Sequence, residues 1–154
     1  MLRLKILAST LPVLLAAFFA RGDLATRHPC IAAGGSSVQL ATAPWQAQLH
    51  VAFTDEASRA TVRVQIVDSA EAADFVVVDD VDSAEPNACA VTAATRFVAI
   101  SESDSSPGPL IYLSADANAD YRIFVRSRSF TPREAAALIV GAETRHGRMA
   151  QAAL

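Results

Sequence analysis

Seven carboxylates, Asp68, Glu71, Asp74, Asp79, Asp80, Asp82 and Glu85, crowd the segment VQIVDSAEAADFVVVDDVDSAE around two very apolar runs. Carboxylates at this density can hold a hard cation if several oxygens converge in one loop. DDVDSAE offers Asp80, Asp82 and Glu85, but lacks the glycine and the distal glutamate of an EF-hand loop. The other role for such acids is architectural. Asp and Ser accept backbone N–H bonds and open a tight turn or a single helical turn. No metal site and no cofactor are expected, and the acids are read as marking where strands begin and end.

Nucleophilic chemistry has less to stand on. GGSSV (Gly34 to Val38) places valine where the G-x-S-x-G elbow needs its last glycine. His28, His50 and His146 fall on an expected terminus, a strand and a helix end, with no context that marks a base. No catalytic residue is assigned. Arginine is the better candidate: in YRIFVRSRS, alternation puts Arg122, Phe124, Arg126 and Arg128 on one strand face and Tyr121, Ile123 and Val125 on the other. Three guanidiniums on one face can meet phosphate or sulfate bidentately. The alternative for Arg122, Arg126 and Arg128 is solvation, or pairing with the abundant carboxylates.

The elements that position these residues repeat. DEASRATVRVQIV from Asp55, DSAEAADFVVVD from Asp68 and SADANADYRIFV from Ser114 align without a gap, making Ala60-Thr61-Val62, Ala73-Asp74-Phe75 and Ala119-Asp120-Tyr121 equivalent. A fourth, interrupted copy starts at Asp82. Each unit reads as a polar turn, a small alanine and a β-branched strand of usual length. Further strands are expected in SSVQLATA (36–43), AQLHVAF (47–53), TRFVAIS (95–101) and LIYLS (110–114), with ESDSSPGP as a polar loop. TPREAAALIVGAETRHG predicts a helix with Thr131 as N-cap, Pro132 at the first position and Glu134 closing a capping box. Its apolar stripe, Ala135, Leu138, Ile139 and Ala142, should cover a sheet face, with Gly147 as C-terminal cap. Residue patterning alone gives an α+β domain with a mostly antiparallel sheet.

The recurring step of apolar run, Asp-Ser, a few residues, Ala-Asp and another apolar run resembles the septoil-knot domain family, small β-rich proteins whose backbone forms a seven-crossing torus knot. The likeness covers roughly Leu49 to Ser127 and is best from Val51 to Asp80, with an insertion from Val81 to Pro109. It implies a β-rich fold, deeply knotted, beside which the short strands joined by tight turns and the one C-terminal helix are read from the residues themselves. It implies no catalytic residues.

The ends bound location. Arg3 and Lys5 lead into an apolar run from Ile6 to Ala20, which reads as a secretory signal over residues 1–22, shorter than the ~20 residues a spanning helix needs. No stable membrane span is expected after its removal. About 130 residues remain, enough for one core: a single domain over 23–147 and a loose tail over 148–154. The formal charge of −3 argues against nucleic acid as the main partner. Cys30 and Cys89, an even pair in an exported chain without C-x-x-C spacing, read as a disulfide. The expectation is a periplasmic or secreted non-enzymatic structural or binding domain. The alternative is a periplasmic binder of an anionic envelope component through the arginine face, and an unrecognised hydrolase stands third.

Overall fold

The structure, a computed structural model, describes residues 30–33, 36–79, 89–105, 107–116 and 118–151. The signal segment and the candidate ligands Asp80, Asp82 and Glu85 lie outside the described residues. Among the described residues eight strands form one sheet: β1 (Cys30–Ala33), β2 (Ser36–Leu40), β3 (Leu49–Phe53), β4 (Val62–Val67), β5 (Phe75–Val78), β6 (Arg96–Ser101), β7 (Leu110–Ser114) and β8 (Tyr121–Arg126). The helix α1 (Pro132–Gln151) follows. Among the described residues, each segment expected to be a strand carries one, and β1 is the strand that patterning did not announce. DSAEAAD carries the expected single helical turn, at Ala70–Ala72.

The sheet order is β1-β2-β6-β3-β7-β4-β8-β5. Two series, β2 to β5 and β6 to β8, therefore alternate across the sheet. Among the described strands only β1 and β2 pair antiparallel; every other neighbouring pair is parallel. The mostly antiparallel sheet expected from short connections does not form.

The register explains how short connections serve a parallel sheet, which ordinarily needs a dozen or more residues to carry the chain back. Each strand starts at the level where the previous strand of its series stopped. Leu40 and Leu49 both pair with Val98, and Phe53 and Val62 both pair with Ile111. Ser101 and Leu110 both pair with Ala52, Leu113 and Tyr121 with Val64, and Ile66 and Phe75 with Ile123. A connection thus steps sideways over one strand, about 10 Å, and never returns along its own length. Each pivot residue, Val98, Ala52, Ile111, Val64 and Ile123, is almost fully buried.

The core recurs with the same period. Val38, Val51, Val64 and Val77 stand one per strand along the first series, and Val98, Ile111 and Ile123 along the second; all are buried. They face α1. The helix opens as the sequence predicts: the Thr131 N–H donates to Glu134 Oε2 at 2.8 Å and the Glu134 N–H to Thr131 Oγ1 at 3.2 Å. Its burial differs from the expected single stripe, because Ala135 to Val140 are buried on every side. Small residues let the curled sheet wrap the helix rather than merely touch it. A Cβ on Gly141 would come within 2.6 Å of Val98 Cγ2, so glycine sets how closely helix and sheet approach. The helix continues past the expected cap at Gly147 to Gln151.

The connections run over the opposite face. His50, Arg63 and Gln65 neighbour the buried Val51 and Val64 in their strands and so point away from α1. His50 Nε2 lies 3.1 Å from the Pro44 carbonyl oxygen, Arg63 Nη2 donates to Ala57 O at 3.3 Å, and Gln65 Nε2 donates to Ala115 O at 3.3 Å. Those acceptors belong to the β2–β3, β3–β4 and β7–β8 connections.

Candidate functional site

The acids of the repeat act on strand backbones. Asp74, just before β5, donates its N–H to the Arg122 carbonyl at 2.8 Å and receives the Arg122 N–H on Oδ2 at 2.8 Å. Asp120, just before β8, donates its N–H to Arg63 O at 2.8 Å and receives the Arg63 N–H on Oδ2 at 2.7 Å. Thr61, their counterpart before β4, donates its N–H to Leu110 O at 2.9 Å and receives the Leu110 N–H on Oγ1 at 2.8 Å. In each case a side-chain oxygen replaces a peptide carbonyl and extends the parallel ladder by one rung.

Gln48 makes the same exchange with Phe97: its N–H donates to the carbonyl at 3.0 Å, and its Oε1 accepts the N–H at 2.6 Å. Sequence alignment missed it because amide and carboxylate look unlike. The spacing held the signal, since Gln48 precedes Thr61 by the interval that separates Thr61 from Asp74.

Asp79 closes the other end of β5. Its Oδ1 accepts from the Ser127 hydroxyl and its Oδ2 from the Arg128 N–H, both at 2.5 Å. The Ser127 hydroxyl, followed by the Arg128 N–H, holds the Asp79 carboxyl below the ordinary aspartate range. For Asp74, bonding from the Arg122 side chain and then its N–H has the same effect.

The three arginines do not converge. Arg122 returns to Asp74, with Nη2 2.7 Å from Oδ1 and Nε 3.3 Å from Oδ2. Arg126 is exposed beside Val78 of β5, about 13 Å further along the strand. Arg128 is exposed beyond the strand end, where its main chain is held by Asp79. Of the candidate anion-binding set, Arg122 is therefore already engaged, while Arg126 and Arg128 make no ion pair among the described residues. The Arg122 row is continued by Gln65 and Ser114, and the next row by Val67, Phe124 and Val76.

Cys30 and Cys89 are joined, as expected, with Cα atoms 5.7 Å apart. Next to them Gln39, buried on the face opposite α1, donates from Nε2 to the Cys89 carbonyl at 2.8 Å. Ser37, from the GGSSV segment, bonds the Thr95 hydroxyl at 2.9 Å. Among the described residues no cluster of three His, Cys, Asp or Glu is placed to hold a metal ion. Among them, too, no helix is long and apolar enough to cross a membrane.

Comparison with protein-family models, curated proteins and solved structures finds no match for this chain.

Proposed function

We propose that the protein is an exported, non-enzymatic structural or binding domain whose polar repeat residues serve its own architecture. The observation that carries this is the shared clamp: Gln48, Thr61, Asp74 and Asp120 each exchange two hydrogen bonds with one residue of a neighbouring strand. Groups used in this way are drawn out of play for substrate. The disulfide is consistent with an oxidising, exported location.

The septoil-knot likeness is kept within this proposal. Two series of strands interleave, and connections of both bond to side chains on the face opposite α1. A chain whose two halves step over one another repeatedly with one hand is wound as a torus knot is wound, and the right-handed preference of parallel crossovers favours a single hand.

The alternative, an anion-binding surface, keeps Arg126 and Arg128 as its exposed cations. Thermal melting with inorganic polyphosphate at low salt separates the two. A structural domain shows no ligand-dependent shift. A rise in melting temperature that disappears when Arg126→Glu and Arg128→Glu are combined would replace the structural role with the binding one.

A further inference from the structure

We propose that Cys89–Val91 is a redox-released strap, fastened over strand β2 by the Cys30–Cys89 disulfide and freed by dithiol reduction while the sheet stays folded. Cys30 pairs with Gln39 in the β1–β2 register, so both side chains lie on the face opposite α1. The disulfide, and the bond from Gln39 Nε2 to the Cys89 carbonyl at 2.8 Å, set the strap on that face. The residues it closes over are polar and buried: Gln39 is 2% exposed, and Ser37 and Thr95, joined through their hydroxyls, are each 9% exposed.

Little besides the disulfide holds the strap down. Cys89, Ala90 and Val91 are all exposed, so they bury almost no apolar surface. Among the described residues two hydrogen bonds join them to the rest of the protein: the one from Gln39, and a long one from Thr95 Oγ1 to the Ala90 carbonyl at 3.5 Å. The chain that follows supplies a hinge. Thr92 to Thr95 closes on itself, the Thr95 N–H donating to Thr92 O at 3.0 Å and the Thr92 N–H to Thr95 Oγ1 at 2.8 Å. Segments with so few buried contacts open locally at small free energy, so the covalent tie decides whether the strap stays closed. Strand β1 differs, because four register pairs keep it on β2 when the tie is cut.

Cys89 is also the more exposed of the two cysteines. A thiolate of the dithiol attacks Cys89 Sγ, the S–S bond breaks, and Cys30 leaves as a thiolate that takes up a proton. The second thiol of the reagent then displaces Cys89. Two electrons and two protons pass to the protein, and the dithiol ends as a disulfide. With the strap lifted, Gln39 Nε2 exchanges the Cys89 carbonyl for water, and Ser37, Gln39 and Thr95 become an open, uncharged polar patch.

The test is NMR of the folded, oxidised protein before and after dithiothreitol in native buffer. Reduction should reach completion without denaturant. The Gln39 side-chain amide protons should then exchange with solvent at least about a hundredfold faster, while the β1–β2 and β4 backbone amides keep their protection. The order parameters of Ala90 and Val91 should fall from about 0.85 to below about 0.6, and reoxidation should reverse both changes. Cys30→Ser combined with Cys89→Ser should reproduce the reduced spectrum with no reductant present. Gln39 amide protons that stay protected, after reduction or in the double variant, overturn the proposal. Loss of protection through the whole sheet also overturns it, because the disulfide would then be a staple of the fold and not a latch. So does a disulfide that only denaturant makes reducible.

Discussion

Asp74 and Arg122 close a ring: the N–H of each donates to an oxygen of the other at 2.8 Å, one a peptide carbonyl and one a carboxylate. The guanidinium then folds back on the same carboxylate. An acid and a base that look in sequence like the makings of a site thus serve to dock strand β5 on β8.

If the clamp is a matter of a side-chain acceptor at a fixed place, residue type at Thr61 should be exchangeable within limits. Thr61→Val leaves the Leu110 N–H without its acceptor and should cost about 1 to 2 kcal/mol in denaturant unfolding. Thr61→Asp, the residue that the equivalent positions 74 and 120 carry, should cost less than Thr61→Val. Equal damage from both would show that the hydroxyl, not the acceptor, is what the position needs.

Acid should loosen β5 first. Asp74 and Asp79 have lowered folded-state pKa values, so at pH near the ordinary aspartate value, about 3.9, the unfolded chain binds more protons than the folded one. Their contribution is fully present above that pH and is lost as pH falls through the lower folded values. Melting temperature should drop below about pH 4, and Asp74→Asn together with Asp79→Asn should flatten that slope while lowering stability at pH 7.

Two glycines should respond differently to alanine. A Cβ on Gly108 would lie 1.6 Å from the His50 carbonyl oxygen, a backbone atom that cannot give way, so Gly108→Ala should yield little folded protein. At Gly141 the obstacle is a Val98 methyl, and overpacking should cost about 1 to 3 kcal/mol, partly offset by alanine's helix preference. Adding Val98→Ala to Gly141→Ala should cost less than the sum of the two single changes in denaturant melts.

Topology should appear in the rates. The disulfide closes a loop of sequence separation 59, which by chain entropy stabilises by about 4 kcal/mol at most. With Cys30→Ser and Cys89→Ser, unfolding should therefore speed up yet remain slow if the chain is deeply threaded. If the chain is threaded, refolding should be slower again when a bulky domain is fused after Leu154, because the end that carries α1, wrapped by the sheet, would then have to pass. Single-exponential refolding in milliseconds that ignores the fused domain would exclude a deep knot.

Much of this molecule was legible one segment at a time. β-branched runs between polar turns marked β2 to β8, Thr131 and Glu134 marked the start of α1, and an even pair of cysteines without C-x-x-C spacing marked their bond, because each of these signals is local or has a single available partner. Interleaving was not legible. A strand's hydrogen-bonding groups are the same for any neighbour, and β4's actual neighbours, β7 and β8, lie some 50 residues away, so nothing in VRVQIV distinguishes them from β3 or β5. The repeat of Val38, Val51, Val64 and Val77 determined which residues face inward. Only the tertiary structure decided that the gap between successive copies is filled by the second series, which turns Asp74, Asp120 and Gln48 from turn residues into clamps on strands distant in sequence.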